Sequence, residues 1–250
     1  MKTLIIGDIH GCSLPFMQLM EKMEPDPKED QLILLGDLFD RGEEAKEMQG
    51  FILQQMETGD LILVKGNHED LFQELVTEDK GLPYSHHVHN GTYDTALQLT
   101  GFDPTMAHIR NYDFADAAKQ TPFYTQIIPS MIDYYETEHY IFVHGWIPCI
   151  ADRRTGFSYY SDWRSVDTFE WKRARWYNGM DAVQTCMEDK TILCGHWHSS
   201  YGHWKYEHIG SKFGADADFS PYYGSGIIAL DACTAISNRV NVIVLEDNPI

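Results

Sequence analysis

Short apolar runs recur along the chain, mostly without alternation, and most close on Gly, Asp or His. They are Leu4-Ile5-Ile6, Leu32-Ile33-Leu34-Leu35, Leu61-Ile62-Leu63-Val64, Tyr140-Ile141-Phe142-Val143, Thr191-Ile192-Leu193-Cys194, Ile227-Ile228-Ala229-Leu230 and Val240-Asn241-Val242-Ile243-Val244-Leu245. Continuous apolar runs of this length are what strands buried on both faces look like. Between the first three lie segments of helical character, at about 13–23, 43–57 and 69–77. Strand–helix–strand alternation predicts parallel βαβ units, hence an α/β fold. The stretch 78–139 is polar and irregular, with helices expected near 92–100 and 114–120, and 197–225 reads as a long loop rich in Gly, Ser, Tyr and His. A single domain over 1–250 is expected, with these two insertions between strands, where substrate selection usually resides.

The residues that follow each run carry the chemistry. The first run leads into Gly7-Asp8-Ile9-His10-Gly11, the second into Gly36-Asp37-Leu38-Phe39-Asp40-Arg41-Gly42, the third into Gly66-Asn67-His68-Glu69. Two later runs lead into His144-Gly145 and Gly195-His196-Trp197-His198. In an open α/β sheet ligands gather at the carboxyl ends of strands, so the five termini can converge. Taken singly, Asp8 is as well explained as an N-cap or turn residue, and Asn67 as a left-handed turn. Five such sites at strand ends point instead to a metal centre. Carboxylates, an amide oxygen and imidazoles form a mixed O/N donor set suited to Mn, Fe or Zn. One carboxylate can bridge two such ions ~3.5–4 Å apart, between which water loses a proton near neutral pH.

Charge narrows the partners. The formal net charge is −19, from 19 basic and 38 acidic residues. Such a surface repels polyanions, so no nucleic-acid partner is expected. No run of apolar residues is long enough to span a membrane. The five cysteines are odd in number and lack CxxC spacing, which suits reduced thiols in a cytoplasmic enzyme.

The motifs Gly-Asp-Xaa-His-Gly, Gly-Asp-Xaa-Xaa-Asp-Arg-Gly and Gly-Asn-His-Glu, in this order, resemble the phosphoprotein phosphatase family of calcineurin-like metallophosphoesterases, in particular its phage and bacterial serine/threonine phosphatase branch. The resemblance is dense over 1–75 and returns at 140–146, 171–175, 191–196 and 227–246. It implies a four-layer α/β/β/α sandwich. It also implies that Asp8 and His10 hold a first metal, Asp37 bridges both, and Asn67, His144 and His196 complete the second. The two divalent ions would most readily be Mn, with Fe or Zn as alternatives. His68 resembles the family's general acid with Asp40 orienting it, and Arg41 a phosphate clamp. A second clamp falls in Trp171-Lys172-Arg173-Ala174-Arg175, at Arg173, or at Arg175 in reserve. The other reading of that stretch is a helix with a solvated basic face.

Three features resist this pattern. His86, His87 and His89 crowd together as if to make another metal site, but an exposed polar loop is the expected reading. The stretch 216–223 is acidic and aromatic, and either lines a substrate groove or packs. His198, two residues after His196, would point to the same side in an extended segment and is expected to ligate the first metal. Its alternatives are a hydrogen bond within the loop or a contact to substrate phosphate. The implied activity is hydrolysis of phosphoserine and phosphothreonine in proteins, or of a small phosphate ester, by direct attack of metal-activated water. Its rivals are a dinucleoside tetraphosphate hydrolase, a phosphodiesterase, and a phosphopeptide-binding pseudo-phosphatase, which every expected residue being present argues against.

Overall fold

The computed structural model describes residues 1–77, 85–105, 111–152, 154, 156–186 and 188–246. Positions 78–84 and 106–110 of the first expected insertion therefore lie outside the described residues. Strands β1 (Lys2–Ile6), β2 (Gln31–Leu34) and β3 (Asp60–Leu63) run parallel, connected through helices α1 (Ser13–Met23) and α2 (Ala45–Thr58). After β3 the chain enters α3 (Asn67–Thr77), then α4 (Ser85–Asn90) and α5 (Thr92–Thr100). Strand β4 (Tyr134–Glu136) is the antiparallel edge of a second sheet, beside β5 (Tyr140–Val143). A separate hairpin, β6 (Cys149–Asp152) with β7 (Gly156–Tyr159), follows, and then β8 (Thr191–Cys194), β9 (Tyr222–Gly224), β10 (Ile227–Ala229) and β11 (Val242–Glu246). The first sheet has the order β11-β1-β2-β3 and the second β4-β5-β8-β10-β9.

The unalternating runs have a direct cause. In β1 the side chain of Ile5 packs between the two sheets, while Leu4 and Ile6 pack against the helical layer. Along β2 Ile33, and Leu35 just after it, point inward, Leu32 and Leu34 outward. Phe142 and Leu193 answer them from the second sheet, whose outer residues Ile141, Val143 and Ile192 meet the other helical layer. Each buried Leu, Ile or Phe side chain contributes roughly 1.5–3 kcal/mol. Two sheets face to face with helices outside make the four-layer α/β/β/α sandwich. Six parallel strands send their carboxyl ends to one edge, which fixes where ligands can gather.

Helix 92–100 lies where periodicity predicts it, and the helix Asn111–Lys119 begins somewhat earlier than expected. The His-rich stretch departs from the expected exposed loop. It forms α4, and His87 is fully buried. The segment 197–225 contains a helical turn at Ser200–Gly202, a π-type turn at His203–Glu207 and strand β9. Phe219 and Tyr222 of its acidic-aromatic end are buried, and Tyr223 is exposed. Among the described residues, no helix is long and apolar enough to cross a membrane, and the five cysteines form no disulfide.

Candidate active site

The strand ends do converge. Asp37 Oδ2 lies 3.8 Å from His10 Nε2 and 3.7 Å from His68 Nε2, and its Oδ1 lies 3.3 Å from His144 Nε2. His144 Nε2 is 2.8 Å from the Asn67 amide oxygen, and Asp8 Oδ2 is 4.0 Å from His10 Nε2. Two groupings with metal-ligand spacing result, one of His10, Asp37 and His68 and one of Asp37, His144 and His196. Asp37 is common to both. The imidazoles are oriented from behind: His10 Nδ1 donates to the Phe39 carbonyl at 3.2 Å and His144 Nδ1 to the Leu35 carbonyl at 2.7 Å. The carbonyl of Trp176 takes a bond from the His196 ring. Such partners fix the tautomer and leave the other nitrogen to face an ion.

The backbone makes room for these groups at a cost in strain. His10, Asp37, Asp40, Arg41 and His196 all adopt positive φ, between 49° and 71°, a region that non-glycine residues rarely occupy and that clusters at functional sites. A Cβ on Gly66 would stand 2.2 Å from Asp37 Oδ1, and one on Gly195 would stand 2.0 Å from Asp8 Oδ1. The glycines therefore admit the carboxylates. Glu69, fully buried, ties the loops together: its oxygens accept from the amides of Asp37 (3.1 Å), Leu38 (3.0 Å) and Gly66 (2.7 Å). In Glu69→Gln at least one of these amides faces an NH2 group. A loss of about 1–3 kcal/mol per orphaned donor is expected, read by denaturant unfolding; wild-type stability would refute the clamp.

The electrostatics ask for cations. Burial, then the neighbouring Asp231, raises the Asp8 carboxyl, and burial pushes Asp231 up to about 6. Burial, and next the Arg41 charge, keeps His10 neutral, while burial and then His144 hold His196 down at about 3. Burial opposes a charge on His144, but the Asp37 carboxylate outweighs it and raises that imidazole to about 10. Buried carboxylates facing imidazoles, of which His10 and His196 are already held neutral, are the donor set that divalent N/O-binding ions take.

His68 is different. Its Nδ1 sits 2.7 Å from Asp40 Oδ2, which also accepts from Thr92 Oγ1 at 2.6 Å, while Thr95 Oγ1 accepts from the Asp40 amide at 3.0 Å. Burial opposes charging, yet Asp37 and Asp40 together raise the His68 pKa. Arg41 lies across the front of both rings, with Nη1 3.1 Å from His10 Nε2 and Nη2 3.2 Å from His68 Nε2.

Three sequence candidates are not brought to this cluster. His198 Nδ1 meets Ser200 Oγ at 2.8 Å and its ring packs on Phe213, 4.4 Å between centroids. The extended geometry that would align it with His196 is broken, because His196 has φ 63° and the Trp197 amide turns back to Gly195. Arg173 pairs with Glu170 on its own helix, Thr168–Ala174, at 3.1 Å. Arg175 is buried against Asp70, at 2.6 Å, and Asp133, a structural ion network. Conversely, Glu69, Thr92 and Asp231 were not singled out from sequence. Two of them carried a signal: Glu69 closes the Gly-Asn-His-Glu motif, and Asp231 follows the apolar run Ile227–Leu230 as Asp8 and Asp37 follow theirs.

The family model of the calcineurin-like phosphoesterases matches residues 1–218, and the chain belongs to that family, whose members use dinuclear metal centres. A symmetrical bis(5'-nucleosyl)-tetraphosphatase of Marinomonas sp. (strain MWYL1) is 41% identical over 69 residues, which is 28% of this chain and 24% of that enzyme. The match thus spans about a quarter of the relative's length. Two solved structures share the fold over nearly the whole chain. A cold-active protein-tyrosine phosphatase of a psychrophilic Shewanella sp. has TM-score 0.54 and 15% identity, over 99% of this chain and 76% of that one. A protein serine/threonine phosphatase from Saccharomyces cerevisiae has TM-score 0.52 and 14% identity, over 100% and 82% respectively.

Proposed function

We propose that this chain is a dinuclear-metal phosphohydrolase whose substrate is a dinucleoside polyphosphate of the tetraphosphate class, acting in the cytoplasm. The observation that carries the chemistry is Asp37 standing in both groupings of ligand-spaced residues. Asp8, His10 and Asp37 are assigned to one cation, and Asp37, Asn67, His144 and His196 to the other, with Mn, Fe or Zn all suited to the donors. When bound, the pair supplies Lewis-acid activation of water and neutralises charge on the phosphoryl oxygens. Spacing alone also admits His68 to the first grouping. Its bond to Asp40 and raised pKa favour instead an imidazolium that protonates the leaving oxygen. Arg41 presents a planar fork of donors beside that imidazole, the geometry that grips two phosphate oxygens at once. His198 is not assigned to a metal.

The nucleotide reading rests on the likeness to the symmetrical tetraphosphatase. It is supported by two half-exposed indoles beside the ligand His196: Trp176 at 5.8 Å and Trp197 at 6.1 Å between ring centroids. Exposed aromatic faces near a phosphate site suit stacking of a base, worth about 1–3 kcal/mol. Trp176→Ala is accordingly expected to raise KM for a dinucleoside tetraphosphate by about 5–150-fold, the same energy expressed as a ratio, and to leave a small aryl phosphate nearly unaffected. Equal effects on both substrates would remove the stacking role. The substrate class itself is decided by kcat/KM of the Mn²⁺-loaded protein on a dinucleoside tetraphosphate, on phosphoserine, phosphothreonine and phosphotyrosine peptides, and on a phosphodiester. The tetraphosphate should lead. A lead for phosphoserine or phosphothreonine would restore the protein-phosphatase expectation raised by the motifs.

A further inference from the structure

We propose a third cation site, separate from the dinuclear centre, built by Glu74 of α3 with His86 and His87 of α4. Each of the three presents one donor atom, and the three atoms lie within 4.8 Å of one another. A tetrahedral ion with bonds of ~2.0–2.1 Å needs its donors roughly 3.3 Å apart. His86 is exposed and Glu74 half-buried, so both side chains can move in to close that difference, while the fully buried His87 supplies the fixed point.

The two imidazoles already face each other, with centroids 4.0 Å apart and planes inclined by 38°. The short helix that carries them is braced from its own side chains. His89 Nδ1 bonds the Ser85 carbonyl at 2.6 Å, and Asn90 Nδ2 donates to the His86 carbonyl at 2.8 Å. One carboxylate and two imidazoles, with a fourth position left for water, form the donor set that zinc takes in three-ligand sites. The chain's charge of −19 raises the local concentration of any divalent cation. Glu74 also receives the Lys172 ammonium, so an incoming ion competes with that lysine for the carboxylate.

The site's position gives it a consequence. An ion there staples α4 to α3, and α4 leads directly into the Gly91–Thr92 corner. A Cβ on Gly91 would lie 2.4 Å from the Arg41 amide nitrogen, and Thr92 holds Asp40. The staple therefore braces the segment that packs on Asp40 and Arg41 without contributing a ligand to the dinuclear centre.

Zn²⁺ content after chelation and equilibrium dialysis, measured per intact chain, tests this. Wild type should hold one equivalent more than His86→Ala and one more than Glu74→Gln. Asp37→Asn should lose the ions of the dinuclear centre but keep this one, which separates failure of the third site from failure of the centre. His86 is exposed, so its variant should fold even if one at buried His87 does not; circular dichroism of the His86→Ala protein confirms it. Equal zinc content in wild type, His86→Ala and Glu74→Gln would overturn the proposal.

Discussion

His68→Asn is expected to lower kcat on an alkyl phosphate by roughly 10²–10⁴-fold, the usual worth of a positioned general acid. The expectation follows from geometry. Asp40, itself fixed by Thr92 and Thr95, holds Nδ1 of the imidazole at 2.7 Å and thereby turns Nε2 toward Arg41 and the Asp37 carboxylate. Asparagine keeps a polar group in that space but cannot give up a proton. An alkoxide leaves poorly without one, whereas an aryl oxide or a nucleoside phosphate needs less help. The loss should therefore shrink markedly on aryl phosphates and phosphoanhydrides. Equal losses on all three classes would show that His68 holds metal or substrate rather than delivering the proton.

Asp37→Asn should have the other large effect. The carboxylate stands within 3.3–3.8 Å of the His144, His68 and His10 ring nitrogens and belongs to both ligand groupings. Its Oδ1 also accepts from the His68 amide at 3.0 Å. An amide keeps much of that shape while removing the charge two cations would share. Loss of the several kcal/mol that a metal pair supplies corresponds to a fall in turnover on the order of 10³-fold or more. Metal analysis should show both ions weakened together. A variant that loses one ion and keeps the other at wild-type affinity would show that Asp37 does not bridge.

The architecture was legible because two-sided burial leaves a signature that survives in one dimension. Leu4-Ile5-Ile6 and Leu32–Leu35 are apolar at every position since alternate side chains enter two different cores. What escaped were strands with weak patterns, such as Tyr222–Gly224 and the hairpin Cys149–Asp152 with Gly156–Tyr159, which are short and partly exposed. Within the site, residues at strand termini were legible, because position and chemistry coincide there. The role of Glu69 was not, since the motif that contains it does not reveal that its carboxylate serves three backbone amides. For His198, a left-handed His196 removes the two-residue periodicity on which the expectation rests. Arg173 and Arg175 show the limit of a short motif. Both are present, but their guanidiniums are taken by Glu170 and by Asp70 with Asp133. His87 needed the third dimension as well, because only the packing of α4 against α3 and α5 reveals that a polar cluster hides a buried imidazole.

The proposed hydrolysis depends on cations held by Asp8, His10, Asp37, Asn67, His144 and His196. Turnover of chelated protein while Mn²⁺ is titrated back tests it most directly. The metal-free protein should show no measurable hydrolysis, with recovery that saturates as the dinuclear pair fills. Full turnover by thoroughly chelated protein would contradict it.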